Sequence, residues 1–112
     1  MKVFVTGGCG FIGSNFILNE INNYTSILNY DKLTYAGNPN NLLSLTKNRN
    51  YSFFEGDICS IDSLNETIND FSPDIVVHFA AESHVDKSIE NPLNFIDTNI
   101  VGTANLLNVC YN

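Results

Sequence analysis

The chain has 112 residues, 44% of them apolar, which is enough for one domain with a buried core and too few for two. Twelve acidic side chains against five basic ones give a formal charge of −7, with no Lys/Arg cluster, and this excludes a nucleic-acid partner. It does not exclude a single anionic ligand: scattered carboxylates beyond about 8 Å are screened, whereas a helix N-terminus acts at contact distance.

The opening Met1-Lys2 is followed by three apolar residues before Thr6-Gly7-Gly8, which is not a signal-peptide pattern, and no run approaches a membrane span. Lys2 to Thr6 is an unbroken β-branched and aromatic stretch, predicted as a strand buried on both faces of a parallel sheet. It runs into Gly7-Gly8-Cys9-Gly10-Phe11-Ile12-Gly13. The turn reads either as Gly8-x-Gly10-x-x-Gly13, the dinucleotide fingerprint, or as Thr6-Gly7-x-x-Gly10-x-x-Gly13, the spacing of short-chain dehydrogenases. Glycines let the backbone approach a phosphate, and the N–H groups of the following helix then face the anion. Cys9 fits a place in the turn that needs a small residue. Phe11, Ile12, Phe16, Ile17 and Ile21 follow a period near 3.6 and predict a helix that frays at Asn22-Asn23.

A second strand is expected over Ile27 to Tyr30, ending at Asp31, followed by a polar loop from Lys32 to Asn38. Pro39 then starts a short helix with Leu42, Leu43 and Leu45 inward. Tyr51 to Glu55 reads as a third strand. Ser63-x-x-Glu66 resembles a capping box opening a helix whose stripe is Leu64, Ile68 and Phe71. Ile75 to Phe79 is the fourth strand, with Ala80-Ala81 at its carboxyl end and a polar loop over Glu82 to Asn91. A long last helix follows Pro92, its apolar face including Ile96, Ile100, Ala104 and Leu107. Strands alternating with helices predict a parallel sheet in the order 3-2-1-4 with right-handed crossovers. A crevice then opens where the order reverses, between strands 1 and 4.

Asp31 stands at the end of the second strand, where a carboxylate accepts hydrogen bonds from adenosine ribose hydroxyls and repels a 2′-phosphate. No arginine follows to reverse that preference, so NAD is favoured over NADP. Lys32 also reads as an ordinary solvated lysine. Asp57 reads equally as an adenine contact or as a turn-forming Asp after Gly56. His78, inside a strand, reads as a satisfied core histidine. His84 lies in the polar loop beside Glu82, Ser83 and Asp86, where substrate contacts sit, with a solvated loop as the alternative. Cys9, Cys59 and Cys110 form neither a disulfide framework nor a metal site, and a reducing cytoplasm is expected.

The stretches Thr6 to Asn15, Asp31 to Asn38, Asp57-Ile58, Ala80 to Ile89 and Thr98 to Thr103 resemble the N-terminal part of the nucleotide-sugar 4,6-dehydratases. These are extended short-chain dehydrogenase/reductases, and the resemblance covers the whole chain. It implies a Rossmann-type α/β fold with helices on both faces of the sheet, incomplete relative to the family. Residues 1–112 would be the NAD-binding domain, the N-terminal portion of a longer enzyme. The implied activity removes a hydride from the sugar C4, eliminates water across C5 and C6, and returns the hydride at C6, regenerating the cofactor each turnover. The implied substrate is a nucleotide-activated glucose, dTDP-glucose or UDP-glucose, and the implied parent is a homodimer.

Carried over by position, the resemblance assigns Phe11 and Ile12, within the Gly7, Gly10 and Gly13 turn, to the pyrophosphate. It assigns Asp31, Lys32, Leu33 and Thr34 to the adenosine ribose, and Asp57 and Ile58 to the adenine. Phe79, Ala80, Ala81, Glu82 and Ser83 fall on the nicotinamide side, with Thr98 also at the cofactor; Ser83 and His84 fall at the substrate. The family's Thr-Asp-Glu segment and Tyr-x-x-x-Lys pair are expected beyond residue 112, and the chain contains no Tyr-x-x-x-Lys. Two rival readings remain: a non-catalytic NAD-binding module, and a structural domain whose glycine turn is vestigial. The fourth strand should be central in the parent, so its free outer edge here predicts association of the isolated chain.

Overall fold

A computed structural model describes residues 1–33, 39–80, 93 and 97–111, without the side chains of residues 39, 97 and 98. Four strands form one sheet: β1 (Lys2–Thr6), β2 (Ser26–Asp31), β3 (Tyr51–Glu55) and β4 (Ile75–His78). All pairings are parallel and the order is β3-β2-β1-β4, as expected. β1 sits between β2 and β4, and its Val3, Phe4, Val5 and Thr6 are wholly buried. That burial explains its unbroken β-branched and aromatic run, since both faces are covered.

The two faces hold separate clusters. On one, α1 (Phe11–Glu20) and a 3-10 segment (Pro39–Leu45) bring Ile17, Ile21, Leu42 and Leu45 onto Val3, Val5 and Ile27. On the other, α2 (Ile61–Phe71) and α3 (Thr103–Tyr111) bring Leu64, Ile68, Leu106 and Val109 onto Phe4 and Tyr30. A fully buried aliphatic or Phe side chain of this kind contributes about 1.5–3 kcal/mol relative to exposure. Tyr30 also needs a polar partner, and its hydroxyl finds the Asp57 carbonyl (3.1 Å) and Ser63 Oγ (3.2 Å).

The inward assignments in the 3-10 segment and the last helix are corrected in part, and α1 buries only some of its apolar residues. Phe11 and Ile12 are 80% and 67% exposed, so the buried stripe of α1 begins at Gly13 and continues through Ile17 and Ile21. Leu43 faces outward, because the 3-10 segment is kinked at Leu42 (φ −117°) and buries only Leu42 and Leu45 of the three. Ser63 is not an N-cap: α2 starts at Ile61 after Ser60, and Ser63 already lies inside the helix, where it reaches Tyr30. At the last helix Leu106 and Val109 join the core on the sheet and Gly102 is buried, while Ile100, Ala104 and Leu107 are exposed. Ile96 lies outside the described residues. A π-helical turn over Asp97–Gly102 precedes α3 and shifts the register of the faces.

Candidate functional site at the carboxyl end of the sheet

The order reversal between β1 and β4 places the glycine turn beside the end of β4. Gly7 has φ +71°, a conformation side chains rarely adopt, and a Cβ there would lie 2.5 Å from the Ala80 amide nitrogen. Backbone thus meets backbone across the mouth of the crevice. A Cβ on Gly8 would strike the Asn29 carboxamide, and one on Gly13 would strike the Gly7 carbonyl. Gly10 differs: a Cβ there would meet only the Gly7 oxygen, at an ordinary 3.5 Å. The fold itself does not require glycine at position 10, so the open space above it is room for a closely approaching group.

The turn is held from beneath by side chains. Asn29 Oδ1 accepts the Gly8 N–H (2.9 Å), Asp31 Oδ2 accepts the Cys9 N–H (2.8 Å), and Asn41 Nδ2 donates to the Cys9 carbonyl (3.1 Å). Asn29 Nδ2 donates onward to the Tyr51 hydroxyl (3.1 Å), tying the turn to β3. Asn29, wholly buried, and Asn41 were not singled out from sequence. A carboxamide inside the apolar run Ile27-Leu28-Asn29-Tyr30 was the available signal for the first; nothing marked the second. Cys9 is buried, which raises its thiol pKa to about 11, and the nearby Asp31 charge pushes it the same way. It fills the turn as a small buried group, as expected, and its raised pKa favours the neutral thiol.

Above this layer α1 begins. Gly10 is its N-cap without any side-chain cap, and the Ser14 N–H is bonded to the Gly10 carbonyl (2.9 Å). The N–H groups of Phe11, Ile12 and Gly13 precede the first intrahelical bond and carry the positive end of the helix dipole toward the crevice. Uncapped amides over an open glycine are the chemistry that receives an anionic oxygen.

Asp31, 7% exposed, closes the neighbouring side at the end of β2. Its Oδ1 accepts the Leu33 N–H (2.7 Å), and Leu33 takes a left-handed φ of 60° around it. Each carboxylate oxygen therefore accepts one backbone amide and keeps a further lone pair. Lys32 is not simply solvated: its Nζ lies 3.3 Å from Asp57 Oδ2. Asp57 Oδ1 accepts the Cys59 N–H (2.9 Å), the geometry of a turn-forming Asp. Ile58 is buried beneath α3, and its carbonyl accepts from Asn105 Nδ2 (3.0 Å).

On the β4 side, Phe79 stacks obliquely on Phe16 of α1 (centroids 5.5 Å apart) and its N–H reaches the Thr6 carbonyl (2.9 Å). His78 is the satisfied histidine expected, between Thr6 and Thr103. Burial lowers its pKa below the usual 6.5. The sheet thus brings together Gly7, Gly10, Gly13, Phe11, Ile12, Asp31, Lys32, Leu33, Asp57, Phe79 and Ala80 at one end. Thr34, Ala81, Glu82, Ser83 and His84 lie outside the described residues, as does the side chain of Thr98, which falls in the π-helical turn. Among the described residues, no cluster of His, Cys, Asp or Glu could hold a metal ion, and no helix is long and apolar enough to cross a membrane.

A parallel sheet in this order, with a glycine turn joining β1 to an uncapped helix, defines a Rossmann-type domain. The particular family follows from its sequence profile, GDP-mannose 4,6 dehydratase, which matches residues 4–112; the chain belongs to that family. It is 49% identical to a dTDP-glucose 4,6-dehydratase of Shigella flexneri over 113 aligned residues, covering 100% of this chain and 31% of that protein. A dTDP-glucose 4,6-dehydratase of Streptomyces venezuelae, solved with NAD bound, superposes with a TM-score of 0.92 at 39% identity, over 98% of this chain and 35% of the other. A UDP-glucose 4-epimerase of Thermus thermophilus in complex with NAD gives a TM-score of 0.85 at 31% identity, over 98% and 33%. The chain therefore spans about a third of the length of these relatives.

Proposed function

We propose that this chain holds NAD at the glycine turn and is the N-terminal, NAD-binding domain of a longer lyase that dehydrates dTDP-glucose. The observation that carries the proposal is the turn itself: uncapped helix amides stand over Gly10, whose Cβ position is open, with a buried carboxylate alongside. Those donors and that acceptor suit a pyrophosphate joined to a ribose. When bound, NAD supplies an acceptor for the sugar's hydride and a donor for its return.

The chain's own residues bind and orient. The Phe11, Ile12 and Gly13 amides receive the pyrophosphate in this reading, and the spare lone pairs of Asp31 receive the ribose hydroxyls. Lys32 is drawn to Asp57 rather than turned toward a 2′-phosphate, which supports NAD over NADP. Asp57 and Ile58 would flank the adenine, while Phe79 and Ala80 would floor the nicotinamide side. Leu33, Thr34, Ala81, Glu82, Ser83 and Thr98 are proposed cofactor contacts from the family resemblance, and Ser83 and His84 proposed substrate contacts. The proton-transferring Tyr-x-x-x-Lys pair is assigned to the part of the longer relatives that this chain does not span. The dTDP-sugar is favoured over a UDP-sugar by the 49% identity to a dTDP-glucose enzyme. A cytoplasmic, homodimeric parent completes the proposal; Cys9, Cys59 and Cys110 form no disulfide, which fits a reducing compartment.

Calorimetric titration of the chain with NAD and with NADP tests the reading, with NAD expected to bind more tightly. Asp31→Ala should weaken NAD by about 1.5–3 kcal/mol, the worth of a hydrogen bond to a charged group. Asp31 also holds the Cys9 and Leu33 amides, one on each oxygen, and Asp31→Asn sets an NH2 against one of them, so the ratio of NAD to NADP affinity, not the absolute loss, is the readout for that variant. The substitution removes the charge, keeps an acceptor, and should narrow the preference for NAD. No binding of either cofactor would overturn the proposal for this chain.

A further inference from the structure

His78 is a half-buried titratable side chain that cofactor binding leaves unused. It stands opposite Thr6 in the parallel register of β4 and β1. Its Nδ1 lies 2.6 Å from Thr6 Oγ1, and its Nε2 lies 2.9 Å from Thr103 Oγ1 on α3. Thr6 has a second duty: its Oγ1 accepts the Ala80 N–H (3.2 Å) while its carbonyl accepts the Phe79 N–H (2.9 Å). One threonine thus fastens two consecutive amides at the end of β4, the backbone that lies against Gly7.

The proton positions follow from counting. A threonine hydroxyl has one proton and two lone pairs, and a neutral imidazole has one donor and one acceptor nitrogen. Thr6 is wholly buried and already accepts from Ala80, so its proton needs an acceptor inside the protein. Nδ1, at 2.6 Å, is that acceptor; the ring proton is then on Nε2 and is donated to Thr103.

We propose that His78 is a positioning residue whose neutral Nε2–H tautomer orients the Thr6 hydroxyl, so that Thr6 holds Ala80 against Gly7 and sets the spacing of the two crevice walls. Among the described residues, the groups facing the ring are the hydroxyls of Thr6 from β1 and Thr103 from α3. Burial, with no charged neighbour contributing, keeps it in the neutral form. Protonation would place a second donor against Thr6 and take away the acceptor of its hydroxyl proton, loosening the Ala80 contact. The consequence for cofactor binding rests on the function proposed above; the tautomer and the Ala80 contact do not.

Two variants separate the two ends of the ring. The oxygen of His78→Asn reaches the Nδ1 position and can still accept from Thr6, whereas the amide of His78→Gln reaches the Nε2 position and can serve only Thr103. Three readouts apply to the 112-residue chain: ring-nitrogen NMR at neutral pH, hydrogen exchange at the Ala80 amide, and calorimetric titration with NAD. The wild type should show the Nε2–H tautomer. Asn should retain Ala80 protection and nearly all NAD affinity. Gln should lose about tenfold in both, the equivalent of one neutral hydrogen bond. An Nδ1–H tautomer, or equal effects of Asn and Gln on Ala80 exchange, would overturn the proposal. Failure of the wild type to bind NAD would instead remove the proposed function and leave the tautomer and exchange results to decide this one.

Discussion

The glycine turn and the end of β4 face each other across one crevice, yet different chemistry fastens them. The turn rests on Asn29, Asp31 and Asn41, whose carboxamide and carboxylate groups grip its backbone at three points. The end of β4 rests on a hydroxyl oriented by an imidazole. Neither carboxamide titrates, whereas the imidazole does, its pKa pushed below the usual 6.5 by burial. The end of β4 therefore depends on the protonation state of one ring, while two of the three groups under the turn carry no titrating proton. The lesson is that a ligand held between two walls inherits the pH response of the weaker one.

Gly7→Ala attacks both walls together and should have the largest effect. The substitution combines a left-handed φ with a Cβ driven onto the Ala80 backbone, which cannot swing aside. Strain and overpacking together predict a loss of about 2–5 kcal/mol in urea unfolding. A stability near wild type would mean that the walls are not in contact. Asn29→Leu isolates the turn. It leaves the Gly8 N–H buried without a partner, for a cost of about 1–3 kcal/mol. Hydrogen exchange should rise at Gly8 and stay unchanged at Ala80, and a rise at both would erase the distinction between the walls.

A pH series isolates the other wall. The folded-state pKa of His78 is lowered, so below about 6.5 the unfolded chain binds the extra proton first. The contribution of the neutral ring is fully present above 6.5 and is lost as pH falls through the lower folded value. Urea midpoints measured between about pH 5 and 8 should decline on the acid side, and His78→Asn should flatten that part of the decline. An unchanged slope in the variant would place the acid sensitivity elsewhere. The smallest effect is expected at the rim. Lys32→Ala removes an ion pair whose partners are 52% and 34% exposed. It should change stability by no more than about 0.5 kcal/mol, vanishing in high salt. A larger, salt-resistant loss would mean that the rim helps to hold the Asp57 turn.

Much of this architecture was legible in the sequence because its signals are local. β1 announces itself as an apolar run ending in glycines, and β2 ends at an acidic residue as the parallel reading requires. The sheet order follows from alternation of strands and helices. What misled was periodicity in helices that carry apolar residues on more than one side. In α1 the residues nearest the turn, Phe11 and Ile12, continue the apolar pattern but stand at the crevice rather than over the core. In α3 the choice between Leu106 and Leu107 depends on the phase of the preceding π-helical turn, which no short-range pattern encodes. Ser63 had the spacing of a capping box, and a tyrosine 33 positions earlier in the chain claimed its hydroxyl instead.

The sequence by itself determined the strand–turn–helix, the acidic group after β2 and the family, because each is written in residues adjacent or nearly adjacent along the chain. Only the tertiary structure decided which groups hold the turn and the end of β4 in place. Asn29 meets Gly8 across 21 positions, Asn41 meets Cys9 across 32, and His78 meets Thr6 across 72. The physical reason is that a parallel sheet sets residues of distant sequence side by side at van der Waals distance. Hydrogen-bond partners for a buried backbone are then chosen by register and burial, not by proximity along the chain.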